Sequence, residues 1–383
     1  MTLDQARKEF PHTWSDMVYF NHAAVAPLSF RVRDAVDKYQ TRRALKGIEP
    51  YPWILKTVQE TRELLAQMIG ARADQIAFVL NTSDGINILA QGIDWQPSDR
   101  VLINDLEFPA NAYPFLNLRR KGVIVDSIKK DPLLFKEGVA DGYSIAPHEI
   151  AGQLTEKTKL VSLSHVQFAT GAKADLTAIG KLCRDRDILF AVDAIQSLPH
   201  SSIDVVRDNI DFLACGGQKW MMSDTGIAFI YVSDRALERM HQGYLGWLSI
   251  ENPFDFTPRP EELRPGAGRF ENGTLNFAGI TALNASLKFF FEFGLKKIER
   301  AVLDLSGYLI ERLEQRGIEV ITPKAETERA GIISFNFPDA EKVFERLHNQ
   351  NIIISLRQGR LRVSPHFYNT EEEIKKLLVA LRE

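Results

Sequence analysis

Three short stretches hold residues whose types and spacing can do chemistry. The first ends in Lys219, in Gly216-Gly217-Gln218-Lys219-Trp220, which leaves the apolar run DFLACG (211–216). An amine placed there faces a partly buried cleft, where desolvation and nearby cations lower its pKa and make it nucleophilic. The same sequence also suits a lysine that snorkels to the surface. The second is Asp193, the last residue of ILFAVD (188–193), with Gln196 three positions on. A carboxylate ending a buried strand is costly unless paired. A protonated ring nitrogen is one such partner, and a turn-capping role is the alternative. The third is Asn81-Thr82-Ser83-Asp84-Gly85, after QIAFVL (75–80). Small hydroxyls and a glycine here open a helix, whose free N–H groups and positive dipole end suit a phosphate. A plain N-cap uses the same residues. Together the three supply an activated amine, a lone carboxylate and an anion site, which serve the aldehyde, ring nitrogen and phosphate of one cofactor.

All three stretches follow apolar runs, which must be the elements that position them. QIAFVL, VLIND (101–105), GVIVDSI (122–128), KLVSLSH (159–165), ILFAVD, DFLACG and GIAFIYV (226–232) predict seven strands. They are apolar almost throughout, as strands covered on both faces are. Amphipathic stretches such as LTAIGKLCRDRD (176–187) lie between them, so the pattern is βαβ with a mostly parallel sheet. Ligands in such sheets sit beyond the carboxyl ends of the strands, where the candidate residues stand. The run 251–268, with Pro253, Pro258, Pro260 and Pro265, predicts a loop and a domain boundary. One long helical pattern follows from about Gly279 to Arg316. The tail then reads strand (331–337), helix (340–350), strands in NIIISL and RLRVSP, and a closing helix, a smaller α+β domain. We expect an N-terminal segment (1–20) packed on that small domain, a large cofactor-binding domain (21–265) and the small C-terminal domain (266–383).

The bulk numbers exclude several alternatives. With 47 basic and 50 acidic residues the net charge is −3, which argues against nucleic-acid binding. Two cysteines, Cys183 and Cys215, cannot build a disulfide framework or a cysteine zinc site, and the eight histidines show no metal spacing. The start MTLDQARKEF lacks the features of a signal peptide, and no apolar run approaches the ~20 residues of a membrane span. A cytoplasmic protein is expected. Gly266-x-Gly268 has no third glycine at the needed spacing and follows no strand, so a dinucleotide loop is not expected. His22 and His366 are expected to be structural, and Trp220, Trp247 and Tyr244 to pack rather than react.

In order and spacing, Thr82-Ser83, Asp193-x-x-Gln196 and Gly-Gly-Gln-Lys219 resemble the class V aminotransferase group of fold-type I enzymes that use pyridoxal 5′-phosphate (PLP). That group includes cysteine desulfurases, selenocysteine lyases, isopenicillin N epimerase-like proteins and kynureninases. The resemblance runs from Tyr19-Phe20-Asn21-His22-Ala23-Ala24 to Arg362-Val363-Ser364-Pro365-His366-Phe367-Tyr368-Asn369. It implies that Lys219 carries PLP as a Schiff base and that Asp193 pairs with the ring nitrogen. Gln196 would lie near the ring hydroxyl, and Thr82, Ser83 and Gln218 would hold the phosphate. Phe108 would stack on the ring, where many relatives have histidine and kynureninases have phenylalanine. Thr274, with Asn272, would reach the phosphate of a neighbouring subunit, implying a homodimer with shared sites. Arg362 would grip the substrate carboxylate, with Asn21 and Arg357 beside it. Persulfide-forming desulfurases carry a loop cysteine just before that arginine, whereas Leu356-Arg357-Gln358-Gly359-Arg360 is short and has none. Gln218 replaces the usual histidine before the lysine, and Phe168, beside Gln167, replaces an asparagine. The expected reaction is a lyase on a small amino acid, of desulfurase or selenocysteine-lyase type. Transamination, epimerisation, a kynureninase-like hydrolysis and a catalytically silent PLP-binding protein are the alternatives.

Overall fold

The computed structural model describes residues 1–129, 145–255 and 262–382. Part of the proline-rich run, Pro258 and Pro260 included, lies outside them. Apart from β1 (Val18–Tyr19), the seven expected strands come first: β2 (Ile76–Val79), β3 (Arg100–Asn104), β4 (Ile124–Ile128), β5 (Thr158–Ser164), β6 (Leu189–Asp193), β7 (Phe212–Gly216) and β8 (Ala228–Val232). They form one sheet in the order β2-β8-β7-β6-β5-β3-β4. The pairs from β4 across to β7 are parallel, while β8 runs antiparallel to both β7 and β2. One apolar layer covers each face. Phe190, Leu213 and Phe229 point into one, and Ala191, Ala214 and Ile230 into the other. This two-sided burial is why the strands read as near-continuous apolar runs.

The closing elements are β9 (Ile333–Phe335), β10 (Ile352–Ile353), β11 (Ser355–Arg357) and β12 (Arg360–Val363), with helices Ala340–Asn349 and Glu371–Ala380. Strands β11, β12 and β9 make an antiparallel sheet, and β10 pairs in parallel with β1. The N-terminal segment is tied to these elements in two further places. Arg7 pairs with Glu373 at 3.0 Å, and the Phe10 ring stacks on Tyr368 with centroids 3.9 Å apart.

One expectation about this half is corrected. The helical pattern 279–316 is two helices, Phe277–Phe293 and Leu295–Glu314. They meet at Gly294, whose φ of 104° no helix contains. The apolar face continues on both sides of that break, which hides it in the sequence. The helix Phe277–Phe293 buries Ile280, Leu283 and Phe290 in the core of the large sheet. Within the next helix Val302 still belongs to that core, while Leu305 and Leu309 join the core of the small sheet together with Val18 and Phe20.

Candidate active site

Lys219 lies just past the carboxyl end of β7, and Asp193 ends β6 beside it. The sheet register sets Asp193 opposite Ala214 on one side and Ser164 on the other. Asp193 is buried and accepts a hydrogen bond from the Ile195 amide at 2.9 Å. Burial pushes its pKa up, and the negative charge of Glu107 adds to this. Lys219 moves the other way: burial holds its pKa down, Arg362 and Arg357 lower it further, and Asp193 opposes them. Its Nζ stands 5.4 Å from the centre of the Phe108 ring, and Phe108 meets Phe168 edge to face at 5.3 Å.

Beyond the end of β2, which β8 separates from β7, Thr82 opens the helix Thr82–Gly92, capped by Asn81, which accepts from the Asp84 amide. Thr82 is buried, and its hydroxyl has no hydrogen-bond partner. A Cβ added to Gly216 would come within 2.7 Å of Gln218 Oε1 and 3.2 Å of Thr82 Oγ1. The two polar side chains therefore converge on a space that glycine leaves free. An orphaned buried hydroxyl costs about 1–3 kcal/mol, and a bound phosphate oxygen would remove that cost. The buried Asp193 carboxylate, the activated amine, the aromatic face and this cradle fit PLP.

The other predicted residues fall into two groups. Gln196 is near the site but is already engaged at both ends: its oxygen accepts from Trp220 Nε1 at 2.9 Å and its amide donates to Ala23 O at 3.0 Å. Asn21 lies in a turn that bridges to Ser364, the residue after β12, and its Oδ1 is buried without a partner. Arg362 is 1% exposed. It donates to Phe168 O at 2.6 Å and to Ser355 Oγ at 3.0 Å, while its Nη2 is buried without a partner. Burial and the neighbouring Arg357 lower its pKa, but a guanidinium keeps its charge. Arg357 itself is exposed on the same hairpin. Ser83 is exposed at the helix start. Within one chain Asn272 and Thr274 do not join this group. Both are exposed and line a surface depression of about 470 Å³ with Leu80, Asp84 and Tyr244.

Trp220 packs as expected, whereas Tyr244 and Trp247 are exposed, and Glu107 had no sequence signal. Trp220 is fully buried, fixed by Gln196, by His366 Nε2 donating to its carbonyl at 3.0 Å, and by His200, whose ring centroid lies 3.9 Å away. Glu107, beside Phe108, is buried and accepts hydrogen bonds from Asn111 and Ser164.

Known proteins resemble this chain along its whole length. The family profile Aminotransferase class-V matches residues 18–377. A protein of Methanothermobacter thermautotrophicus named "Probable cysteine desulfurase" is 30% identical, over 100% of this chain and 98% of its own. The "Cysteine desulfurase" of Salmonella agona is 27% identical, over 99% and 97%. Among solved structures, the apo cysteine desulfurase from Thermococcus onnurineus NA1 is 25% identical with a TM-score of 0.88, covering 99% of this chain and 97% of its own. The cystine C-S lyase C-DES, solved with its product cysteine persulfide, shares the fold at a TM-score of 0.87, with 24% identity over 97% of this chain and 98% of its own.

Proposed function

The chain belongs to the aminotransferase class-V family and is a PLP-dependent enzyme; from that premise we propose that it eliminates the side-chain group from Cβ of a small amino acid, cysteine or a close analogue, and releases it directly. The observation that carries this reading is the hairpin between β11 and β12. Its turn is Gln358-Gly359, with no thiol. Cys183 and Cys215 are both buried, and burial pushes the Cys183 thiol up to about 12 and the Cys215 thiol higher still. No protein thiolate is therefore placed to take up sulfur from the substrate.

PLP, when bound, supplies an electron sink conjugated to the substrate Cα. Everything else falls to this chain. Arg362, whose Nη2 donor is buried without a partner, holds the substrate carboxylate, with Asn21 beside it. Lys219 would be the base for the Cα proton, and its lowered pKa keeps a neutral fraction available near neutral pH. The Cβ–S bond then breaks with both electrons leaving on sulfur. Phe108 and Phe168, in edge-to-face contact, would form the aromatic wall of the site on their side. Asp193 would hold the proton on the ring nitrogen.

A homodimer with shared sites belongs to the same reading. Exposed Ile48, Leu80 and Trp247 leave apolar surface around Thr274, and a second copy covering it would bring its Thr274 toward the phosphate cradle. No helix among the described residues is long and apolar enough to cross a membrane. Two free cysteines suit the reducing cytoplasm.

The test is the absorption spectrum of the PLP-loaded protein mixed with a panel of amino acids, cysteine and alanine included, without an acceptor. A band that responds to cysteine and recovers while keto acid and sulfide accumulate over many turnovers is the expected result. A single conversion to the pyridoxamine form that then stops makes the protein an aminotransferase instead.

A further inference from the structure

The site contains a second carboxylate that the reaction above does not use. Glu107 is 8% exposed. Its Oε1 accepts from Asn104 Nδ2, from the Ser164 amide at 2.9 Å and from Gln167 Nε2 at 3.1 Å. Its Oε2 accepts from Asn111 Nδ2 at 3.0 Å and from Ser164 Oγ. All five donors are neutral, and the carboxylate only accepts, which is the bonding pattern of an ionised group. Placing such a charge out of water costs several kcal/mol before its hydrogen bonds are counted. Packing the ends of β3 and β5 together does not require it, since apolar side chains of similar size would do so without that cost.

Position gives the charge its meaning. The next residue is Phe108, whose ring faces the Lys219 amine. Ser164, which donates twice to Glu107, is the register partner of Asp193 on β6. The five hydrogen bonds therefore fix the backbone that carries the aromatic face. They also hold a negative charge beside the carboxylate meant for the ring nitrogen.

We propose that Glu107 is a positioning residue of this site, which holds Phe108 over the cofactor face and supplies a fixed negative charge behind Asp193. It touches no reacting atom and acts through these two neighbours. The inference rests on the PLP reading. A negative charge at this place favours protonated groups around it, both the ring nitrogen facing Asp193 and the nitrogen of Lys219 when it is joined to the cofactor.

Wild type and Glu107→Gln, each loaded with PLP, are titrated while the visible absorption band and its circular dichroism are followed. Glu107→Gln is expected to lower the pH midpoint of the band by about half a unit or more and to weaken the induced circular dichroism. The melting temperature without cofactor reports folding separately. A folded Glu107→Gln variant with the wild-type midpoint and the wild-type dichroism overturns the proposal. If Glu107→Gln does not fold, Gln167→Leu removes one donor and leaves the charge. It should then raise the PLP dissociation constant several-fold, and an unchanged constant likewise overturns the proposal. A wild type that shows no PLP band at all defeats the cofactor reading itself, a different outcome from either.

Discussion

Lys219 is an amine whose surroundings decide its chemistry. Lys219→Ala should abolish the covalent link to PLP and any turnover, seen as loss of the Schiff-base band; full turnover by this variant would exclude the assignment. Arg357 lowers the proton affinity of Lys219 from the hairpin. Removing that cation should raise the lysine's pKa, so Arg357→Ala is expected to move the acidic limb of the kcat–pH profile to higher pH. An unmoved limb separates Arg357 from the base. The cradle between Gln218 and Thr82 depends on the absence of a side chain at Gly216. Gly216→Ala should therefore weaken PLP binding at least ten-fold, about 1.4 kcal/mol, which equilibrium dialysis can measure. Much of this site was legible because Lys219, Asp193 and Thr82 each end or follow an apolar strand, and residues there face the ligand crevice. Glu107 was not, because its donors come from the ends of β3 and β5 and from residues beyond them, and no local spacing announces such a convergence.

The elements that meet at the site are joined by buried imidazoles. His22, in the N-terminal turn, bonds Ser364 O and Tyr368 Oη, and His366 bonds the carbonyl of Trp220 beside the lysine. Burial holds the pKa of His366 down at about 4 and that of His165 at about 3, and keeps His22 and His200 well below the ordinary value. The folded state thus binds fewer protons than the unfolded chain below about pH 6.5. Stability from these groups is complete above that pH and is lost as the pH falls from there toward about 4, by up to ~1.4 kcal/mol per pH unit for each. Calorimetry should show a melting temperature that drops across this window, and a flat profile would mean the rings are not buried neutral. At this scale the sequence was informative where burial is uniform and silent where it is not. Seven apolar runs became seven strands. Nothing in GIAFIYV, however, tells that β8 runs against its neighbours, because a strand covered on both faces reads the same in either direction.

For the whole molecule the expected state is a dimer. Sedimentation at micromolar concentration should give twice the 43.4 kDa chain mass. Ile48→Asp, at a side chain 80% exposed beside the depressions lined by Thr274, should yield monomers with weakened PLP binding. A wild-type monomer that binds PLP fully would remove the shared-site reading. The small core has a different consequence. Val18 and Phe20 bury against Ile352 and Val363, nearly the whole chain away. Ribosomes add about 5–20 residues per second, so these two side chains stay without their native partners for tens of seconds during synthesis, while the large sheet is completed. The last strands to leave the ribosome are also those that bring Arg362 to the site. A nascent chain can therefore assemble its PLP cradle well before it can grip an amino acid.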